Sequence, residues 1–261
     1  MKLIHRIGAK IKSKLNFSNP EPSSKDSDDW FTSDFKIFVE RSLKEDPDRF
    51  DLKNIQKMPF LHDKTITTSF DPHYIYHPAW AARVLKDISP SLHIDIGSTL
   101  HFSTQLSAFI PTKFYDYRPV FLNLPKLTSE SADLTNLFFK SNEVESISCM
   151  HTIEHIGLGR YGDNLDPRGD IKAMNELERV VKPGGSLLLV TPVGKPKIAF
   201  NGHRIYSYES IIENFKSMDV VDFSLIPDNA VNTGMIFNCS SELVKEQEYG
   251  CGCFFFRKRM P

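Results

Sequence analysis

A short apolar run that stops at a glycine is the most informative hydrophobic pattern in the chain. Residues 92–98 read Leu-His-Ile-Asp-Ile-Gly-Ser, so that one carboxylate, Asp95, interrupts the run before Gly97. This pattern predicts a buried strand that ends in a tight turn beneath a ligand. We therefore expect the first strand of a doubly wound sheet, in which ligands bind at the carboxyl ends of the strands.

Further apolar runs and helical repeats predict the other elements of the same fold. The third strand is the least defined, near residues 121–124 or within the loop that ends at Leu134. The order of elements predicts an α/β protein with a doubly wound, mostly parallel seven-stranded sheet and an antiparallel last strand. Strands are expected near residues 113–118, 146–150, 186–192, 220–226 and 251–257, and helices near 30–50, 79–87 (with Pro78 in the first turn), 170–181 and 207–217.

Composition limits the classes of protein and partner. The 261 residues are 40% hydrophobic, and 32 basic residues against 33 acidic ones leave a formal net charge of −1, which disfavours a nucleic-acid partner. Four cysteines are too few and too unevenly spaced for a disulfide scaffold. Since no signal peptide or membrane-crossing run is evident, we expect a soluble protein of the reducing cytoplasm.

The first 29 residues are predicted to extend a single domain that covers residues 30–261. Within residues 1–16 the apolar positions share one helical face and the basic residues lie mostly elsewhere. This pattern fits peripheral contact with the inner face of a membrane, or an ordinary helix that packs on the domain. Residues 17–29 are rich in Ser, Asn, Pro and Asp, which predicts a flexible linker.

Two aspartates are the first candidates for ligand binding. A carboxylate inside a strand, such as Asp95, is costly to bury unless it is bonded. Asp116 ends the second strand about 20 residues after the glycine turn, which is the ribose-binding position of nucleoside sites. A strand-ending or turn aspartate is the simpler alternative for each. Since the turn Gly97-Ser98-Thr99 lacks the full G-x-G-x-x-G pattern, a ligand without a phosphate fits better than a dehydrogenase cofactor.

Several blocks of sequence together resemble the class I S-adenosylmethionine-dependent methyltransferases. The resemblance covers roughly residues 78–226, plus a reversed seventh strand at 251–257. A narrower likeness, over residues 154–174 with 192–194 and 201–204, is to a small methyltransferase-like family of unassigned function whose bacterial members occur among polysaccharide-synthesis genes. The blocks are Asp95-Ile-Gly97 with Asp116, Asp133-Leu134, the run from Ser148 to Ile156, and the run from Leu177 to Gly185 ahead of a strand.

The resemblance implies S-adenosylmethionine as cofactor. The loop Gly97-Ser98 would then wrap the methionine part, Asp116 would bind the ribose hydroxyls, and Asp133 with Leu134 would flank the adenine. A single glycine stands where the family has a glycine-rich turn, which keeps open the alternative of a non-catalytic scaffold that binds a partner or a nucleotide-sugar. The full predicted cofactor-binding set is Asp95, Gly97, Ser98, Asp116, Asp133, Leu134 and His151.

Methyl transfer to a sugar hydroxyl requires a base that removes the proton as the hydroxyl attacks. Histidine accepts a proton at neutral pH, so His155 is the first choice, and His203 and Glu154 are alternatives. Each of the three could instead have a structural role. Residues 151–155 also spell the H-x-x-E-H of one class of zinc peptidases, but here the motif directly follows a strand. A divalent metal is considered and not favoured; its ligands would come from His151, Glu154, Asp163, Asp170 and His203.

Two segments beyond these strands are predicted to form the acceptor pocket. The loop over residues 157–170 has residue types that suit a sugar or an anionic group, although a surface connection would explain it too. Residues 201–206 follow the fifth strand at the same edge. Cys251 and Cys253 are predicted to pack in the core rather than bind a metal. The predicted substrate-binding residues are Arg160, Tyr161, Asp163, Arg168, Asn201 and Arg204.

These features together predict a cytoplasmic S-adenosylmethionine-dependent O-methyltransferase that acts on a sugar hydroxyl of a polysaccharide or its precursor. One alternative keeps the enzyme and changes the acceptor to a small metabolite or a lipid-linked molecule, for which the helix at residues 1–16 is the hint. The other alternative is the non-catalytic scaffold. The sequence leaves the oligomeric state and the identity of the acceptor open.

Overall fold

A computed structural model of the chain describes residues 24–261, with side chains from Trp30 onward. The predicted amphipathic helix at residues 1–16 and the first part of the predicted linker lie outside the described residues. The chain divides between Ser69 and Phe70 into two compact units. The predicted core of the fold, residues 78–226, belongs to the second unit, and the inclusion of residues 30–69 in the same domain stays a prediction.

In the described part of the first unit, from residue 24 onward, the chain forms one long helix, α1 (Ser24–Glu45), which begins inside the segment predicted as a linker. The helix ends directly before Asp46-Pro47, where the sequence predicts a stop because the residue before a proline avoids the helical conformation. A single 3-10 turn, Leu52–Asn54, follows and is capped by Asp51.

The second unit is built on a seven-stranded sheet with the order β3-β2-β1-β4-β5-β9-β8. All neighbouring strands run parallel except at β9, which is antiparallel to both of its neighbours. The structure thus confirms the predicted doubly wound, mostly parallel sheet with an antiparallel last strand, and places that strand inside the sheet. The strands are β1 (His93–Ile96), β2 (Thr112–Asp116), β3 (Leu127–Ser131), β4 (Val144–Met150), β5 (Val181–Val193), β8 (Met218–Ile226) and β9 (Gly250–Lys258).

Helices cover both faces of this sheet, and a two-stranded hairpin projects from the end of β5. Along β5, Leu187 and Leu189 pack in the cluster on one face and Leu188 and Val190 in the cluster on the other, as expected for a strand without polar alternation. Within residues 24–261, none of the helices combines the length and apolar character that crossing a bilayer requires. The hairpin strands are β6 (Lys197–Ala199) and β7 (His203–Ile205), and the helices are α2 (Pro72–Ile88), α3 (Leu100–Leu106), α4 (Gly169–Val180), α5 (Tyr208–Ile212) and α6 (Ala230–Thr233).

In the second unit, two predicted helices have different bounds in the structure. The helix predicted at residues 207–217 is shorter, since α5 ends at Ile212. Helix α2 begins at Pro72, capped by the Asp71 carboxylate, and Pro78 lies inside the helix rather than in its first turn. Of the two places predicted for the third strand, the structure has the second: β3 lies within the loop that ends at Leu134, and not at residues 121–124, where Phe121 is 92% exposed. β3 is an edge strand with one buried residue, Leu127, so it carries too little apolar character for the hydrophobic pattern to reveal it.

Candidate functional site

The turn after β1 requires glycine. Gly97 has a φ of +66°, and a Cβ atom at this position would lie 2.8 Å from Cγ2 of Thr152. The Thr152 hydroxyl in turn donates to the carbonyl oxygen of Gly97 at 3.0 Å. The turn after β1 is therefore held against the segment that follows β4, at the edge of the sheet where ligands of this fold bind.

Asp95 lies beneath this turn and lines neither of the two cavities described below, which corrects its predicted place among the cofactor ligands. Its carboxylate is fully buried and accepts hydrogen bonds from the hydroxyls of Ser103 and, at 2.6 Å, Ser148. Burial raises the pKa of Asp95 to about 6, against the lowering effect of these hydroxyls. The serine hydroxyls satisfy the buried carboxylate, and the residue acts as a support for the turn.

The network beneath the turn continues to His93, a residue that sequence reasoning missed. Its two ring nitrogens lie 2.8 Å from the hydroxyl of Ser146 and 2.9 Å from that of Ser148. Burial lowers the pKa of His93 to about 3, so the ring is neutral and bridges the two hydroxyls. In the sequence, two polar residues, His93 and Asp95, at alternate positions of an apolar strand were the feature that could have revealed this network.

A cavity of about 550 Å³, here called the large cavity, runs along the carboxyl ends of β1, β2 and β4. Asp116, Asp133 and Leu134 line it together, and their predicted contacts with a ribose and an adenine stay predictions. One oxygen of Asp116 accepts from the backbone N–H of Arg118 at 2.7 Å, and one oxygen of Asp133 accepts from that of Thr135 at 2.8 Å. Within residues 24–261, the second oxygen of each carboxylate has no hydrogen-bond partner.

A second cavity of about 380 Å³, the small cavity, adjoins the first. Ser98, Glu154 and His203 line it, and the half-buried ring of His203 packs against Tyr249 at 4.9 Å between centroids. The two cavities have four lining residues in common, so ligands bound in them would meet at the ends of β1 and β4. The shared residues are Gly97, His151, His155 and Tyr161.

His155 lies in the wall between the two cavities. Its Nδ1 is 2.6 Å from the carbonyl oxygen of Gly202, which can only accept, so Nδ1 carries the proton and Nε2 keeps its lone pair. Burial lowers the pKa of His155, and the nearby Arg160 guanidinium lowers it further. The ring is therefore neutral at pH 7, as a general base must be.

His151 and Glu154 form a buried pair beside His155. Nδ1 of His151 is 2.9 Å from Oε1 of Glu154, and both side chains are at most 4% exposed. Burial by itself lowers the pKa of His151, but its contacts with Cys251 and Glu154 outweigh that effect and raise the pKa overall. The backbone of His151 has a φ of +54°, a conformation that non-glycine residues adopt rarely and that is held here by its surroundings.

The predicted loop residues Arg160, Tyr161 and Asp163 all line a cavity. Asp163 organises the loop, because its carboxylate accepts from the backbone N–H of Gly157 at 2.7 Å. Two guanidinium groups lie over the Tyr161 ring, that of Arg118 at 4.4 Å and that of Arg160 at 5.1 Å from its centroid. Arg118 was missed by sequence reasoning, and the Asp116-Tyr-Arg118 run gave no signal for this contact.

Three predicted substrate-binding residues line neither cavity. Arg168 is exposed at the start of α4, and Asn201 is exposed in the turn between β6 and β7 with a φ of +59°. Arg204 is 4% exposed, and it donates to the carbonyl oxygen of Ile156 at 2.7 Å and lies 3.5 Å from the Asp170 carboxylate. Arg204 therefore has its side chain in the interior of the protein, where it contacts other segments of the chain. The side chains of a strand alternate in direction, and that of Arg204 points inward from β7.

Two tyrosines of the small cavity were also missed. Tyr74 comes from the first turn of α2, and Tyr249 directly precedes β9. The helix-start signal Asp71-Pro72 could have placed Tyr74 near the carboxyl ends of the strands. No sequence pattern connects Tyr249 with this site, because its position depends on the antiparallel return of β9.

Comparison with known families gives a partial match. A family model described as "Caenorhabditis protein of unknown function, DUF268" matches residues 129–239, which is less than half of the chain. No curated protein matches the chain. The matched segment includes His151, Glu154, His155 and the loop that follows them.

Several solved structures resemble the chain, among them methyltransferases. The YcgJ protein from Bacillus subtilis is 12% identical, with 71% of this chain and 99% of that chain covered and a TM-score of 0.49. The N-methyltransferase NodS from Bradyrhizobium japonicum, solved with S-adenosyl-L-homocysteine, is 14% identical over 86% of this chain and 98% of that chain, with a TM-score of 0.47. A TehB-like methyltransferase from Corynebacterium glutamicum is 12% identical over 87% and 100%, with a TM-score of 0.46.

Proposed function

We propose that the protein is an S-adenosylmethionine-dependent methyltransferase that acts on a hydroxyl oxygen, with a sugar or glycan precursor as the acceptor. The observation that carries this proposal is the meeting of two cavities at His155, a neutral histidine whose Nδ1 proton is committed to the Gly202 carbonyl. One cavity suits the cofactor and the other the acceptor, and a base stands between them.

The residues of the large cavity fit the adenosine part of the cofactor. The free oxygen of Asp116 at the end of β2 is suited to a ribose hydroxyl, and the free oxygen of Asp133 to the adenine amino group. Leu134 supplies an apolar surface for the base, and Gly97 allows the turn to approach a ligand closely. When bound, S-adenosylmethionine supplies a methyl group on a positively charged sulfur.

His155 would act as the base for the acceptor hydroxyl. Because Nδ1–H is bonded to a backbone carbonyl, the ring is held in one orientation with Nε2 available to accept the hydroxyl proton. Glu154 Oε1 lies 3.8 Å from His155 Nε2, so the carboxylate would stabilise the ring once it is protonated. His155 is thus both held in place and able to carry the proton away.

The lining of the small cavity supports a sugar as the acceptor. Tyr74, Tyr161 and Tyr249 offer aromatic surfaces, while Arg160 and His203 offer polar groups that can bond hydroxyls. A volume of about 380 Å³ is within the range of small-molecule sites. The balanced formal charge of the chain gives no reason to expect a polyanionic acceptor.

Calorimetric titration of the full chain with S-adenosylmethionine and with S-adenosylhomocysteine tests the cofactor. We expect both to bind, and a screen of nucleotide-sugars and oligosaccharides with radiolabelled methyl donor would then identify the acceptor. Absence of binding to either compound by folded protein would overturn the proposal. Methylation of an amine rather than a hydroxyl in the screen would keep the cofactor and replace the acceptor.

A further inference from the structure

Three side chains from distant parts of the second unit meet behind the wall of the small cavity. His73 comes from the first turn of α2, His151 follows β4, and Cys251 lies on β9. One ligand-type atom from each, a ring nitrogen or the sulfur, lies within 4.8 Å of the other two. Two histidine nitrogens and a thiolate are a donor set that zinc and similar divalent transition-metal ions prefer.

One pair within the cluster has the spacing of two ligands of a single ion. Nε2 of His151 and Sγ of Cys251 are 3.4 Å apart. A tetrahedral zinc ion, with bonds of about 2.0–2.1 Å to nitrogen and about 2.3 Å to sulfur, holds two such ligands about 3.5 Å apart. Cys251 is fully buried and the side chain of His151 is 4% exposed, so the pair is withdrawn from solvent, as the ligands of a stable metal site are.

The contact between the other nitrogen of His151 and a carboxylate is a second, independent observation that points to a metal. Metal-bound histidines commonly donate their second N–H to a carboxylate, which fixes the tautomer and orients the ring. Nδ1 of His151 is 2.9 Å from Oε1 of Glu154, and the opposite nitrogen, Nε2, is the atom that faces the sulfur of Cys251. The left-handed backbone of His151 is a further local cost that a bound ion would offset.

Two buried polar atoms without hydrogen-bond partners lie beside the cluster. Oε2 of Glu154 is buried and unpaired among the described residues, and no lysine or arginine nitrogen of that part of the chain lies within 4.0 Å of this carboxylate. Nε2 of the fully buried His77, whose ring packs edge-on against His151 at 5.1 Å, is also without a partner there. A dication would balance the carboxylate and a Cys251 thiolate together.

We propose that His73, His151 and Cys251 bind a zinc-type divalent metal ion that ties α2, the end of β4 and β9 together. Binding would release the thiol proton of Cys251 to solvent, together with any proton on Nε2 of His151, since metals bind the deprotonated forms. The ion would fix the His151 ring, which both cavities share. This inference goes beyond the proposed methyl transfer and does not depend on it.

The test uses the full chain and a metal whose spectrum reports a thiolate ligand. Metal content after purification is measured by mass spectrometry, and the chelator-treated protein is then titrated with Co²⁺. We expect one equivalent to bind and to produce a thiolate-to-cobalt charge-transfer band in the near ultraviolet. The band should disappear in Cys251→Ser and persist in Cys253→Ser, a matched control because Cys253 is equally buried on the same strand.

Two further variants keep the test decisive if Cys251→Ser does not fold. His73→Gln should weaken Co²⁺ binding strongly, and Glu154→Gln should weaken it about 10- to 100-fold because the carboxylate orients His151. No charge-transfer band in the wild-type protein, or a band unchanged in Cys251→Ser or in His73→Gln, overturns the proposal. Since the readout is spectroscopic, a failure of methyl transfer leaves it unaffected.

Discussion

His155 donates its Nδ1 proton to the carbonyl oxygen of Gly202 across 2.6 Å, a contact that joins the 3-10 turn after β4 (Ile153–His155) to the β6–β7 hairpin. If Nε2 of this ring is the base, His155→Ala should lower kcat by about 10²- to 10⁴-fold and leave the Kd for S-adenosylmethionine nearly unchanged. Steady-state kinetics and calorimetry measure the two effects. His101→Ala, at an exposed position on α3, is the control and should behave as wild type.

The pH dependence of the reaction follows from the same ring. Burial, the Arg160 charge and nearby His151 lower the pKa of His155 below its ordinary value near 6.5. A base must be unprotonated, so kcat/KM should stay level from pH 8 to pH 7 and fall only below pH 6.5. An acid limb centred above pH 7 would contradict the assignment of His155 as the base.

Asp116 should determine cofactor affinity rather than turnover. Asp116→Ala removes the carboxylate oxygen that faces the large cavity without a partner, and we expect the Kd for S-adenosylmethionine to rise by about 10-fold or more, the cost of a hydrogen bond to a charged group. Glu130→Ala is the control, because Glu130 is exposed on the neighbouring strand β3 and lines neither cavity. Equal affinities for the two variants would remove Asp116 from the site.

Asp95 should make stability depend on pH in an unusual direction. Burial raises its pKa from 3.8 to about 6, so the folded state binds a proton more tightly than the unfolded state. The stabilising contribution is therefore complete below pH 4 and is lost as pH rises through 6, with a total of about 3 kcal/mol. Urea unfolding of wild type and Asp95→Asn at several pH values isolates this group. Between pH 4 and pH 7 the free energy of unfolding of the wild type should fall relative to that of the variant.

Arg204 should contribute to stability and not to acceptor binding. Its guanidinium is buried against the Asp170 carboxylate and the Ile156 carbonyl, and the Tyr206 hydroxyl donates to the same carboxylate at 2.9 Å. Arg204→Ala leaves Asp170 without its cation and should cost about 3–5 kcal/mol in unfolding free energy. Arg168→Ala, at an exposed position, should change stability by less than about 0.5 kcal/mol. A stable Arg204→Ala protein with a raised KM would instead support the substrate-binding role.

The sequence by itself determined the elements that local pattern controls. The apolar run before Gly97, the apolar stretch 187–190 in β5 and the order of helices and strands were enough to predict a doubly wound sheet with a reversed last strand. Asp116, Asp133 and Leu134 were placed correctly at one edge, because the carboxyl ends of parallel strands necessarily lie together. The departures were in the ends of helices: α1 begins at Ser24 and α2 at Pro72, ahead of the predicted starts at 30 and 79, and α5 ends at Ile212 rather than near 217.

Only the tertiary structure decided which polar side chains face a cavity. Asp95, Arg204 and Asn201 have the residue types of a binding site, but the alternation of a strand and the turn of a hairpin direct them into the interior or into solvent. The meeting of His73, His151 and Cys251 depends on β9 returning antiparallel between β5 and β8, a contact across 100 residues or more. Pairing at such separations is fixed by the packing of the whole sheet, because no local preference of the chain encodes it.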